Sequence, residues 1–200
     1  MLRRDCVPEN LIPVLEELVP LISSSGFFLA GGTSLALRYG HRFSVDLDFF
    51  TVSPFEADGI LEVVRSLEPQ IIGRDSNTLT LFIRNVKVDF LTHQYPLLAP
   101  HEIIEEVTLA SVLDVCAMKM NAVTKRGTKK DFFDLSYLLR EFSMKELLDF
   151  YLRKYPNVDA FTAVRSLGYF DDAETDPDPQ GALESWTTVK KKVFETLREL

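Results

Sequence analysis

Cysteine is scarce: the 200-residue chain carries two, Cys6 and Cys116, far apart and without CxxC or Cys/His spacing. That excludes a disulfide framework and a cysteine-based zinc site, and it fits a reducing, cytoplasmic compartment. No apolar run approaches the roughly 20 residues a membrane-spanning helix requires. The opening MLRRDCVPENL has two arginines, but Asp5, Pro8, Glu9 and Asn10 interrupt it before any long apolar stretch, so no secretory signal is expected. Positive charge is also in deficit, with 22 Lys and Arg against 30 Asp and Glu and a formal net charge of −8. A broad basic face for nucleic acid is therefore excluded, and a polyanionic substrate would need a local basic patch or bound divalent cations. What is present, 46% hydrophobic and 26% charged residues, is the composition of an ordinary globular chain.

Apolar positions at Leu11, Ile12, Val14, Leu15, Leu18, Val19, Leu21 and Ile22 predict a helix within 9–24, despite Pro13 and Pro20. Phe27 to Ala30 reads as a short buried strand entering Gly31-Gly32, and Thr33 to Tyr39 as a helix ended by Gly40. Val45 to Phe50 alternates with period two, placing Asp46 and Asp48 on one face and Val45, Leu47 and Phe49 on the other. Ser53-Pro54 is expected to open a helix to about Leu67. Strands are expected at 70–73, 78–83 and 86–91, the last two joined by a tight Arg84-Asn85 turn. Beyond Pro96 the period becomes helical, over 109–125, 129–141, 144–155 and loosely to Phe170; an acidic loop, Asp171 to Gly181, precedes a last helix over 183–200. The expected organisation is α+β: a mixed α/β domain over 1–96 and a helical domain over 97–200.

Two aspartates inside an apolar strand demand compensation, because a charge removed from water without a partner costs several kcal/mol. Asp46 and Asp48 sit about 7 Å apart along one face, within reach of one or two cations. Asp89, between Val88 and Phe90 in KVDFL, is a third carboxylate in an apolar strand. An oxygen-only donor set suits Mg²⁺ or Mn²⁺ better than zinc. Gly31 and Gly32, at a strand-to-helix junction, let backbone N–H groups approach a phosphate at the helix start, with Thr33 and Ser34 as further donors. Gly-Gly before a helix is commonly only a tight turn, and Asp-x-Asp commonly a surface loop; their conjunction with a third strand aspartate is what points to a metal–triphosphate site.

GGTSLALRYGHRFSVDLDFF resembles the signature of the nucleotidyltransferase superfamily related to DNA polymerase beta, and its GHRxSxDLDFF form resembles the AbiEii/AbiGii toxin family. KVDFL resembles the strand carrying that superfamily's third metal aspartate, and DVCAMKMNAVTKRGTKKDFFDLSYLL resembles the family's lysine helix followed by a helix with an Asp-x-x-Asp start. The resemblance implies a nucleotidyltransferase-like mixed sheet flanked by helices and followed by a helical bundle. It implies Gly31, Gly32 and Thr33 at the triphosphate, Asp46 and Asp48 as metal ligands, and Asp89 as third ligand and general base. Lys119 and Asp134, with Asp131, would complete the nucleotide cleft from the helical half.

Other residues keep two readings. Lys119, between Met118 and Met120, reads from the residues alone as a lysine snorkelling from the core, and through the resemblance as a phosphate contact. Arg42 either serves the preceding helix end or contacts phosphate with Ser44 nearby, whereas His41 reads as structural. KRGTKK, Lys125 to Lys130, is either a solvated turn or a phosphate-binding edge for RNA. Asp131 and Asp134 also suit the dipole of a helix start. Phe49, Phe50, Phe132, Phe133 and Tyr137 read as core. The resemblance implies transfer of a nucleoside monophosphate from an NTP to an RNA hydroxyl, such as the tRNA 3′ end, by a toxin with a cognate antitoxin. The alternatives are the same chemistry on a protein hydroxyl or small molecule, or a non-catalytic nucleotide- or partner-binding module.

Overall fold

Leu11, Val14, Leu15, Leu18 and Ile22 form one buried stripe of helix α1 (Leu11–Ile22). Pro13 falls in its first turn, where no N–H is needed, and Pro20 falls two residues before its end, so neither breaks it. The computed structural model describes residues 1–125 and 127–200. Residues 1–40, 44–96 and 101–110 build a sheet unit, and residues 41–43, 97–100 and 111–200 build a helical unit.

In the sheet unit the chain runs through β1 (Phe28–Leu29), α2 (Gly31–Tyr39), β2 (Asp46–Thr51), α3 (Ala57–Val63), β3 (Gln70–Asp75), β4 (Thr78–Ile83), β5 (Val86–Thr92), β6 (Glu102–Ile104) and β7 (Val107–Leu109). The seven strands form one mixed sheet in the order β3-β4-β5-β2-β1-β7-β6, with β2 parallel to β5 and antiparallel to β1. Leu47, Phe49, Leu79, Leu81, Val88 and Phe90 join the core containing α1, and the Phe49 and Phe90 rings stack at 5.6 Å. The opposite face of β2 and β5 carries Asp46, Asp48, Lys87 and Asp89 together with the half-buried Phe50 and Leu91, so Phe50, read from the sequence as core, lies outside the core cluster.

Three local expectations are corrected. Val45 precedes β2 and is exposed, so Leu47 and Phe49 carry the core face without it. Ser53-Pro54 does not begin α3, which starts at Ala57 after an extended Glu56. The strands β6 and β7, absent from the sequence reading, extend the sheet through a tight Glu105-Glu106 turn in which both residues have positive φ. Three-residue strands are too short to show alternation. The Arg84-Asn85 turn is as expected, with φ of 49° and 65°, the left-handed pair that suits a two-residue hairpin.

The helical unit contains α4 (Val112–Lys125), α5 (Lys129–Leu138), α6 (Met144–Lys154), α7 (Ala160–Leu167), α8 (Asp171–Glu174) and α9 (Trp186–Leu197). Ser143 and Glu146 form a reciprocal capping box at α6, and Asp159 and Ser185 cap α7 and α9. Phe132, Phe133 and Phe170 surround Trp186 as an aromatic core. Lys154 and Asp114 are buried together with Nζ 2.7 Å from Oδ1. Burial pushes the Asp114 carboxyl up, but Lys154, Ser111 and the Leu98 N–H outweigh it and hold it below its ordinary value. Arg126, within the basic run read as an RNA-binding edge, lies outside the described residues. Among the described residues no helix is long and apolar enough to cross a membrane.

Candidate active site

β1 delivers the chain to α2 through an extended Ala30 and then Gly31, whose φ of +68° lies where L-residues are strained. The Ala30 N–H donates to the Asp48 carbonyl at 3.0 Å, which fixes this turn against β2. The N-cap residue, Ala30, has no polar side chain to cap α2, and the Asp48 carboxylate stands at this helix start. A Cβ on Gly31 would run into the Asp48 carboxylate. Glycine thus permits the uncapped helix start and the Asp48 side chain to be neighbours.

The parallel register of β2 and β5 sets Asp46 opposite Lys87 and Asp48 opposite Asp89, while β4 brings Thr80 opposite Asp89. With period-two alternation, Asp46, Asp48, Asp89 and Lys87 share the face away from the core. Asp89 is the most buried of the carboxylates. The Thr80 hydroxyl donates to Asp89 Oδ1 at 2.6 Å, and Lys87 Nζ lies 2.5 Å from Asp89 Oδ2. Partial burial pulls the Lys87 pKa down, but the bond to Asp89 and the charges of Asp89, Asp46 and Asp48 more than reverse this and hold it above its ordinary value. This face therefore already gathers a cation. Among the described residues no three acidic, histidine or cysteine side chains close on a single point; Asp89 is drawn towards Thr80 and Lys87.

The hydroxyls expected to meet the triphosphate are engaged internally. Thr33 Oγ1 lies 2.8 Å from Ser44 Oγ and also bonds the Asp46 carbonyl, and the Ser34 hydroxyl donates to the Gly31 carbonyl at 2.9 Å. All three residues are buried. The Thr33 bonds tie α2 to the start of β2, while the Ser34 bond closes the first turn of α2.

A second constellation lies within the helical unit. Asp134, fully buried, accepts from Arg42 Nε and Nη2 at 2.6 and 2.8 Å, meets His41 Nε2 at 2.6 Å, and pairs with Lys119 Nζ at 2.6 Å. Lys119 also reaches Asp131 Oδ1 at 2.9 Å, whose other oxygen accepts from Thr128 at 2.5 Å. Burial opposes charge on Asp134, yet Lys119, Arg42 and His41 outweigh it and hold the carboxyl far below its ordinary value. Burial likewise opposes charge on Asp131 and Lys119, and their partners hold the acid low and the ammonium high. The structure thus brings Lys119, Asp131, Asp134, Arg42 and His41 together as a closed ion network.

The sequence matches the family described as nucleotidyl transferase AbiEii toxin, type IV TA system, over residues 14–199. The chain belongs to the AbiEii family. It is an enzyme of the nucleotidyltransferase class. The uncharacterized protein aq_aa25 of Aquifex aeolicus (strain VF5) is 39% identical over 166 residues, 80% of this chain and 81% of that one. JHP933 from Helicobacter pylori superposes with a TM-score of 0.60 at 17% identity, covering 96% of this chain and 92% of its own. The nucleotidyltransferase toxin MenT4 (Rv2826c) of Mycobacterium tuberculosis H37Rv superposes with a TM-score of 0.58 at 18% identity, covering 95% and 84%. At such identities these two show a shared fold.

Two residues of this candidate site escape the motifs. Lys87 lies two positions before Asp89, so strand parity alone puts it on the carboxylate face. Thr80 follows from the Arg84-Asn85 turn, since pairing outward from Ile83 and Val86 brings residue 80 opposite 89. Both signals are present in the sequence; they are geometric and belong to no motif.

Proposed function

We propose that this AbiEii-family enzyme moves a nucleoside monophosphate from a nucleoside triphosphate to a hydroxyl of RNA at the tRNA 3′ end. It acts in the cytoplasm as the toxin of a toxin–antitoxin or phage-defence pair, restrained by a cognate antitoxin protein. The observation carrying this reading is the shared face of Asp46, Asp48 and Asp89 beside the uncapped start of α2 at Gly31. The family's description as a toxin supports an acceptor that a growing cell requires.

The carboxylate face fits a divalent cation by its donor chemistry. It is all oxygen, and its field already retains the Lys87 ammonium. Magnesium in particular is held by one or two carboxylates together with substrate phosphates, so a closed protein cage is not required. A triphosphate at the start of α2 would also face the Asp48 carboxylate, a like-charge contact that a bound cation would relieve. Asp46, Asp48 and Asp89 would hold Mg²⁺ or Mn²⁺, which when bound neutralises phosphate charge and acidifies the attacking hydroxyl.

The chain's own groups do the rest. Backbone N–H groups at Gly31, Gly32 and Thr33 bind the triphosphate, with no Cβ on either glycine to hold it off. Thr33 and Ser44 keep that helix start fixed against β2, and Ser34 closes its first turn. The acceptor oxygen attacks the α-phosphorus, the bond from that phosphorus to the bridging oxygen breaks, and pyrophosphate leaves with the electron pair. The hydroxyl proton passes to the Asp89 carboxylate, which Thr80 orients through Oδ1 and which Lys87 must release at Oδ2.

Incubation with each of four labelled nucleoside triphosphates, Mg²⁺ and cellular RNA tests the reading. Label entering RNA with wild type and absent with Asp46→Ala is the expected result. Label entering protein, or no transfer with any nucleotide, overturns the RNA acceptor.

A further inference from the structure

The end of α4 and one face of α7 enclose an open groove of about 500 Å³ within the helical unit. Phe161, Arg165 and Tyr169 line it from the α7 side at intervals of four residues, one helical turn or about 6 Å apart where the helix is regular. Lys125 lines it from the last turn of α4. Two features coincide in this groove. Phe161 and Tyr169, 74% and 52% exposed, are among the three most exposed aromatic side chains of the described residues. Arg165 and Lys125, which make no ion pair among the described residues, line the same groove as those rings. Asp172, also on the lining, pairs with neither.

Two exposed cations beside solvent-facing rings stand against a net charge of −8 on this chain, so the local field at this groove favours a phosphate-bearing ligand. The combination has a chemistry of its own: rings stack on bases of any sequence, and the cations meet the phosphates between them. We infer that this groove binds single-stranded RNA, with Phe161 and Tyr169 stacking on bases and Arg165 and Lys125 contacting phosphates. The groove is a holding site for the acceptor strand, separate from the carboxylate face. This inference rests on the reading of RNA as acceptor.

The test uses the full-length protein and a fluorescein-labelled, unstructured 12-nucleotide RNA, with binding followed by anisotropy across a salt series. Phe161→Ala/Tyr169→Ala is expected to weaken binding at least about tenfold, because each stacked base contributes measurably. Arg165→Ala is expected to reduce the salt slope by about 0.7, the value for one phosphate contact on a single strand. All these side chains are exposed, so melting temperatures should match wild type, and Asp48→Asn should bind RNA normally. If wild type labels and binds RNA but the groove variants bind it equally well, the groove assignment is overturned and the functional reading stands. If wild type neither labels nor binds RNA, the functional reading fails first. Groove variants that lose a co-purifying protein while retaining RNA affinity would overturn the inference and assign the face to a protein.

Discussion

Lys87 holds its ammonium 2.5 Å from the Asp89 carboxylate, on the same sheet face as Asp46 and Asp48. An ion pair formed inside the carboxylates proposed to hold the metal would make the side chain a competitor of that metal as well as a stabiliser of the metal-free protein. Replacing it by Lys87→Met should lower the melting temperature of the metal-free protein and raise Mn²⁺ affinity roughly two- to fivefold, the range of a part-exposed ion pair. Calorimetric titration reads both the affinity and its sign. Weaker Mn²⁺ binding by the variant would show that Lys87 assists the cation.

Asp48→Asn removes a charge from the carboxylate face while keeping its shape. Transfer activity should fall on the order of 10²-fold or more, while thermal stability stays level or rises as like-charge repulsion is relieved. A folded Asp48→Asn enzyme with wild-type turnover would remove Asp48 from the reaction.

Gly31→Ala tests the junction. The new Cβ meets the Asp48 carboxylate and the backbone is held at φ +68°, at a cost of about 1–2 kcal/mol for an L-residue. Both denaturation midpoint and triphosphate affinity should drop. Gly59→Ala, inside α3 where a Cβ meets nothing within 4 Å, serves as the control: it should leave triphosphate affinity unchanged and hold or raise the midpoint, because alanine is the better helix former.

The Asp131–Lys119–Asp134 network predicts a pH dependence of stability. Both acids have depressed folded-state values, so their contribution is complete above the unfolded carboxylate value of about 3.9 and is lost as pH falls through the folded values. Lys119 is raised, so its contribution is complete below about 10.4 and is lost as pH rises through its folded value. Urea midpoints should therefore be flat across neutral pH and fall at both extremes. Asp134→Ala leaves Arg42 and Lys119 buried without their shared partner and should cost about 3–5 kcal/mol at pH 7; a loss under 1 kcal/mol would argue that the network opens in solution.

The sequence made the central strands and their polar face legible because alternation and apolar embedding are strong local signals: β2, β4 and β5 lie where expected, and Asp46, Asp48 and Asp89 share a face. It was silent on β6 and β7, since three-residue strands are held by pairing with distant chain and have no period to read. The destinations of side chains were hidden for a related reason. Thr33 and Ser34 read as ligand donors, yet their hydroxyls bond Asp46 and Gly31. Arg42 reads as a phosphate contact, yet its partner Asp134 is 92 positions away.

The hairpin between β4 and β5 turns on two residues, Arg84 and Asn85, both in left-handed backbone. Adding one residue on the β5 side would slip that strand by one pairing position and exchange its two faces. Val88 would then stand with Asp46 and Asp48, and Asp89 would be driven into the apolar layer beneath. Five positions before the third carboxylate, a solvent-facing turn with no chemistry of its own is thus intolerant of length change. Among relatives of this chain, insertions should accumulate in the Asp75–Asn77 connection and spare this one.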